Sequence, residues 1–271
     1  RALAALMRAC IEAGHVDALD ASALRDDRRA VLPGGLAILY TLATHFGIEE
    51  LFPAKGALRQ GVIVDLHERL LAAHHEQGHD MREDTVRALQ ARFGVDTLQA
   101  ARVRDLALAL HGPAPDAGAR PSEPEEQALR ELRWACELHE IGMALSHHDH
   151  HRHSAYMLSH IDAAGFSQSE QRRLGQLVLS QRGGLRKVEE WLGDESFARQ
   201  ALCLRLAVIH CHSRQPAQAE AWRLKLRDGR ADLALDLAWA AEHPRTCFLL
   251  SEEEQAWTKV AGLRLSVLGG D

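Results

Sequence analysis

Apolar residues in the first stretch of the chain recur at helical spacing (Leu3, Leu6, Met7, Cys10, Ile11), and Gly14 follows where a helix closes most easily. The pattern predicts an amphipathic helix over residues 1–14. Arg28–Leu32 reads as a short extended run stopped by Pro33, Gly34 and Gly35, followed by a helix over Leu36–Phe46 that ends at Gly47. Ile48–Phe52 reads as a second short strand and Ala57–Leu71 as a further helix. Two strands of this length make a marginal sheet by themselves. Residues 1 to about 65 therefore read as the end of a domain whose beginning lies outside this stretch.

From about residue 80 the pattern turns helical, with helices expected over 81–93, 95–111, 125–145, 151–161, 168–181 and 196–212. The Gly-, Pro- and Asp-rich run from Gly112 to Pro124 is the longest flexible segment, and Ser167 with Glu170 has the signature of a capping box. After Pro216 the period changes: Ala221–Leu226 and Ala231–Leu237 alternate about Asp228 and Gly229, as the strands of a hairpin do. A last helix is expected with Ser251 and Glu254 as its capping box, and Arg264–Leu268 can return as a strand.

Composition narrows the class. In 271 residues, 46% are hydrophobic, enough to build real cores, and the abundance of Ala, Leu, Arg and Glu favours helix. The formal net charge of −6 argues against a nucleic-acid partner, so any polyanion site must be a local patch. The five cysteines lack metal-binding or disulfide spacing, which fits a reducing cytoplasm. No apolar run is long enough for a membrane helix, no signal-peptide pattern is visible, and the first residue is Arg1, which suits a chain that begins inside a larger protein.

Seven of the 17 histidines lie between His139 and His160. Clustered imidazoles serve metal binding, proton transfer or anion binding. Ala128, Leu132, Ala135 and His139 form one buried helical stripe, so His139 points inward, with Glu140 directly after it. An inward His followed by a carboxylate is similar to the core of HD metal-phosphohydrolases, with Glu in place of the usual Asp.

Three stretches together, RRAVLPGGLAIL from Arg28, KGALRQGVIVDL from Lys55, and LHEIG with the SHHDHHRHSAYML that follows it, resemble the exopolyphosphatase/guanosine pentaphosphate phosphatase (Ppx/GppA) family. The tail segments LRLAV, EEEQAW and AGLRL extend the resemblance along the chain. It implies a mainly α fold in three parts. Residues 1–70 would be the C-terminal piece of an ASKHA (actin-like ATPase) α/β catalytic lobe, 71–212 an HD-like helical domain, and 213–271 a small α+β domain. The family's phosphate loops and catalytic carboxylate belong to the N-terminal lobe, so no catalytic residue is assigned here. By the resemblance Gly34 and Gly35 match a nucleotide-proximal turn, and Arg59 matches a cleft-facing Arg suited to phosphate oxygens; Gln60 departs from the usual Glu.

An HD enzyme needs further ligands around its His–carboxylate pair. The inward stripe Gln99, Val103, Leu106, Leu110 puts an amide where the first His belongs, the stripe Leu174, Leu177, Val178 ends in Gln181, and Val208 stands where a late Asp is expected. Amides are poor ligands for transition metals and valine is none. His139 and Glu140 therefore read as a degenerate pair, hydrogen-bonded across helices, and no metal is expected in this portion. The histidines from His147 to His153 fall in a short connection expected to face solvent. There they form either a polar loop or, with His151, Arg152 and His153 at a helix start, donors for phosphate extended by Arg182, Arg186 and Lys187. Tyr156 and Met157 read as core and contact residues.

The function implied is release of terminal phosphate from polyphosphate or guanosine pentaphosphate (pppGpp) by an intact cytoplasmic, Mg2+-assisted enzyme, with this portion supplying polyanion binding and homodimer contacts. No membrane partner is expected. The alternatives are a purely structural dimerisation or partner-binding module, and an autonomous HD-type metal phosphohydrolase.

Overall fold

Asp80, Asp96, Ser122, Ser167 and Asp194 each stand just before a helix, in the extended conformation that a capping residue adopts. Asp80 Oδ1 accepts from the Arg82 amide at 2.9 Å, Asp96 Oδ1 from Gln99 at 3.0 Å and Asp194 Oδ1 from Ser196 at 2.9 Å. Ser122–Glu125 and Ser167–Glu170 close full capping boxes. The computed structural model in which these caps stand describes residues 2–19, 26–52, 59–63, 66, 80–112, 122–227 and 229–269. Its chain separates into two compact units, Arg1–Ile63 and Val64–Asp271.

In the first unit, α1 (Ala2–Ala13) ends at Gly14 with φ of 67°, as expected, and packs on α3 (Leu32–His45). Both strands expected here are corrected. Residues Asp26–Arg29 form a short helix, α2, and Leu32 already opens α3. Pro33 occupies the first turn, where its fixed φ suits a helix and its missing N–H costs nothing. Gly34 and Gly35 therefore continue the helix, and the Gly35 amide bonds the Val31 carbonyl at 3.1 Å. Residues 48–52 form neither strand nor helix, and Phe52 is 84% exposed. Residues 59–63 and 66 are helical; the rest of the helix expected over 57–71 lies outside the described residues.

The second unit carries α4 (Met81–Phe93), α5 (Thr97–His111), α6 (Glu123–Leu138), α7 (His150–His160), α8 (Gln168–Ser180) and α9 (Glu195–His210). These match the expected helices except that α6 stops at Leu138 and a separate 3-10 turn, Ile141–Ala144, follows. Most of the expected linker, residues 113–121, lies outside the described residues.

The hairpin forms as the alternation requires: β1 (Trp222–Arg227) and β2 (Arg230–Leu235) pair antiparallel with Leu224 opposite Leu233, and β3 (Arg264–Gly269) adds parallel to β2. Between them run α10 (Leu237–Glu242) and α11 (Pro244–Trp257). Ser251 and Glu254 lie inside α11, so they are not its capping box; Pro244 in the first turn starts the helix earlier. Ala231, Leu233 and Leu235 on β2, with Trp239, Leu250 and Trp257, join the helices in one continuous hydrophobic core. Across that core the Arg205 guanidinium of α9 grips Glu253 of α11 through two contacts of 2.5 Å, both side chains 4% exposed. The chain is thus mainly helical with one small three-stranded sheet.

Candidate functional site

The stripe Leu132, Ala135, Leu138 of α6 is fully buried and carries His139, at the helix end, inward with it. His139 Nδ1 lies 2.7 Å from the Cys136 carbonyl, so that nitrogen holds the proton and Nε2 is left as an acceptor 3.9 Å from Glu140 Oε1. Burial pushes the imidazole pKa down, which keeps the ring neutral. Glu140 is satisfied elsewhere: Arg214 donates to its Oε1 at 2.8 Å and to Asp96 Oδ2 at 2.7 Å. Arg214 stands in a left-handed conformation with φ of 58°.

The two amides that stand where metal ligands would be expected both cap helix ends. Gln181 Nε2 donates to the His139 carbonyl at 2.8 Å, and Ser154 Oγ donates to the same oxygen at 3.0 Å. Gln99 Nε2 donates to the carbonyl of Cys211, the residue that closes α9, at 2.8 Å. Gln171 and Gln90 do the same at the ends of α7 and α6, bonding the carbonyls of Ile161 and Glu137 at 2.6 and 2.8 Å. A helix leaves its last carbonyls without intrahelical partners, and here buried and half-buried glutamines supply donors. Val208 is half-buried against the core.

These residues do not fit a metal ion. A guanidinium holds Glu140, Gln99 Oε1 accepts from Arg102 at 3.3 Å, and among the described residues no group of three His, Cys, Asp or Glu side chains could hold a metal ion.

The histidine run is corrected in part, for His147 and His148 are exposed as expected and the two that follow Asp149 are not. His150 and His151 are 7% and 6% exposed, turned into the fold rather than toward solvent, because Gly142 lets the Ile141–Ala144 turn press directly on the start of α7. A β-carbon on Gly142 would stand 2.3 Å from both the His150 carbonyl and the Ser154 amide. Burial and the Lys187 charge push the His151 pKa down to about 4, so it adds no charge at neutral pH. His153 is half-buried and packs over Gly142. Tyr156, expected in the core, is 66% exposed and stacks on His160 with ring centroids 4.4 Å apart. It lies on the face of α7 opposite the buried Ser154, Ala155 and Leu158.

What remains outside is cationic. Lys187 donates to the Arg182 carbonyl, and its pKa is pushed down to about 8 by burial and then by the charges of Arg205, Arg152 and Arg182. Those charges lie close enough to Lys187 to act on it. Arg205 is neutralised by Glu253, and Arg152 lies 3.8 Å from Asp149, which sits at the start of α7. Arg182 and Arg186 are exposed and form no ion pair among the described residues, although Glu189 and Glu190 follow on the same turn. The structure therefore brings Arg152 and Lys187 together with Arg182, near the buried His151. Arg205 and Arg214 were invisible to sequence reasoning, since each acts across long separations in the chain.

In the first unit, Gly34 and Gly35 lie in the exposed first turn of α3, and a β-carbon on either would meet nothing within 4 Å. Arg59 is exposed in the helical turn 59–63.

Comparison with known proteins gives this geometry a context. The family model for Ppx/GppA phosphatase, domain III, matches residues 81–254. A protein named guanosine-5'-triphosphate,3'-diphosphate pyrophosphatase from Vibrio cholerae serotype O1 is 32% identical over 264 residues, covering 97% of this chain and 51% of that protein. Proteins of the same name from Photobacterium profundum and Pseudoalteromonas translucida are 31% and 33% identical over 250 and 248 residues, covering 92% and 90% of this chain and 48% of each. The chain spans about half the length of the curated relatives it matches. With the matched model extending over 81–254, well over half of its residues, the chain belongs to the Ppx/GppA phosphatase family.

Proposed function

We propose that this chain is the C-terminal portion of a phosphatase that removes the terminal phosphate from guanosine pentaphosphate, with inorganic polyphosphate as the second substrate class. The reading is carried by the relatives: a guanosine-5'-triphosphate,3'-diphosphate pyrophosphatase aligns along 97% of this chain. Residues 1–70 would complete an ASKHA-type lobe whose preceding part supplies the phosphate-cradling loops and the carboxylate that activates water. Apolar α3 supports this, for Ile38, Leu42 and Phe46 are 65%, 45% and 70% exposed and suit cover by further chain. Mg2+ held by that lobe would neutralise phosphate charge.

In this reading Gly34, Gly35 and Arg59 form part of the cleft wall. Residues 71–212 are an HD-like domain whose metal pair has become structural, and 213–271 a small α+β domain. Arg152, Arg186 and Lys187, with Arg182 beside them and His151 and His153 beneath, hold a polyanion by charge. The protein is a cytoplasmic homodimer. No chemistry is assigned to the His139–Glu140 pair, because its neighbours are engaged as caps and as an ion pair.

The test is phosphate release by the parent polypeptide from both substrates, beside the same assay on this chain alone. The parent should act on guanosine pentaphosphate and this chain should release nothing while still binding polyphosphate. Turnover by this chain alone would contradict the reading, as would a parent inactive on both substrates. Absence of any polyanion binding by the chain would favour a purely structural role.

A further inference from the structure

One cavity in the second unit is lined by side chains that carry unpaired nitrogens. Its volume is about 510 Å3, and it lies between the end of α5, α9 and β1. Trp222 and His111 line it at 4% and 8% exposure, yet Trp222 Nε1 and His111 Nδ1 make no hydrogen bond, and neither does Nε of Arg199, which also lines it. Buried polar groups are almost always paired, and here three unpaired nitrogens, none of them exposed, sit on side chains that line one cavity.

The charge of the lining says which kind. Arg199 is anchored by donation to the His111 carbonyl, and Arg223 adds a second guanidinium from β1. No carboxylate occurs among the described residues that line the cavity. Glu125 lies close enough to feel Arg199 and His111 but is engaged by the Ser122 amide and hydroxyl at 2.8 Å each. Burial and Arg199 push the His111 pKa down to about 4, so its ring offers a hydrogen bond and no charge at neutral pH. The lining also carries the apolar side chains of Leu106, Leu110 and Leu224. A cavity of this size falls inside the range of small-molecule sites, which pair an apolar lining with a few placed polar groups.

We propose that this cavity binds a small organic anion, an acidic head on an apolar planar body, with the head held by Arg199 and Arg223 and the body against the leucines. A carboxylate, phosphate or sulfonate head meets the same donors. The site is separate from the cationic patch at Arg182 and Arg186 and does not rest on the phosphatase reading.

Naphthyl phosphate is the probe, titrated into the full chain by calorimetry while the Trp222 indole N–H resonance is followed by NMR, with naphthol and inorganic phosphate as controls. The expected result is one saturable site per chain, a shift of the Trp222 resonance, and affinity at least about tenfold above either control. Arg223 and Ala109 are both exposed at the cavity, so Arg223→Glu and Ala109→Trp should keep the native melting temperature. Arg223→Glu should weaken binding by about tenfold and Ala109→Trp should block it. Naphthol binding as tightly as naphthyl phosphate, a silent Trp222 resonance, or unchanged affinity in Arg223→Glu would overturn the proposal. Loss of binding in Arg182→Glu instead would move the probe to the other patch and overturn it equally.

Discussion

Gln181 donates its amide to the main-chain carbonyl of His139 at 2.8 Å, so the side chain standing where a metal ligand would be expected is a cap on the helix that carries the histidine. Gln99 stands in the same relation to Cys211 at the end of α9. A carboxamide offers an N–H that a neutral ligand nitrogen directed at a metal does not, and the fold spends it on carbonyls that a helix cannot satisfy itself. At both positions the amide is thus a helix cap.

Replacing either amide should therefore cost stability rather than an activity. Gln181→Leu leaves the buried His139 carbonyl with Ser154 alone, and Gln99→Leu leaves that of Cys211 without its side-chain donor. Each should lower unfolding free energy by about 1–3 kcal/mol in urea titrations. Unchanged stability in both would show that the amides are not caps.

Gly142 is required by contact rather than by backbone angle. Gly142→Ala would drive a methyl into two main-chain atoms of α7 at 2.3 Å, and neither can move without shifting the helix. A destabilisation of roughly 2–4 kcal/mol is expected, read by thermal melting. The same substitution at Gly34, which has open space on that side, should cost nothing or stabilise slightly.

The Arg205–Glu253 pair fastens α11 to α9 from inside the core. Glu253→Gln removes one charge and leaves the other buried, an expected loss of about 3–5 kcal/mol. Arg205→Met combined with Glu253→Leu should recover about half of that loss, because the Ser180 carbonyl and the Trp257 indole then lack the partners they have now. A double variant no more stable than either single one would contradict the buried-charge account.

Three histidines make stability depend on acid. Burial holds His111, His151 and His210 neutral down to a pKa of about 4, against 6.5 when unfolded. Between those values the unfolded chain binds more protons than the folded one, so stability is fully present above pH 6.5 and falls as pH drops toward 4. Melting temperature should decline steeply across that window. His210→Asn should flatten the decline; its Nε2 accepts from the Gln218 amide at 3.1 Å, a bond that an asparagine oxygen can imitate. A flat profile in the parent chain would show that these rings are not buried.

Much of this was legible in the sequence. Helical spacing placed α4, α5 and α7 to α9 to within two residues, while α6 stops seven residues short of its expected end. The inward turn of His139, Gln99 and Gln181 followed from the same period. The alternation around Gly229 placed the hairpin. The failures have a common origin in Pro and Gly. Pro33 with Gly34 and Gly35, read as a break, begins a helix, because a proline in the first turn nucleates what it would end further along. Pro244 likewise starts α11 before Ser251 can cap it. The histidine run looked like a solvated loop because nothing local reveals that Gly142 pulls α7 close enough to bury His150 and His151. Arg214 holding Glu140, and Arg205 holding Glu253, depend on pairings 74 and 48 residues apart that no local pattern encodes.

The central claim is that the helical domain handles polyanions by charge and performs no chemistry. Its most direct test is binding of long-chain polyphosphate to this chain across a salt series at neutral pH, for the parent sequence and for Arg182→Glu combined with Arg186→Glu. The account predicts saturable binding that weakens steeply with salt, a loss of about a hundredfold in the double variant, and a further weakening of the parent as pH rises past the Lys187 pKa of about 8. Salt-independent binding, or a double variant that binds as tightly as the parent, would contradict it.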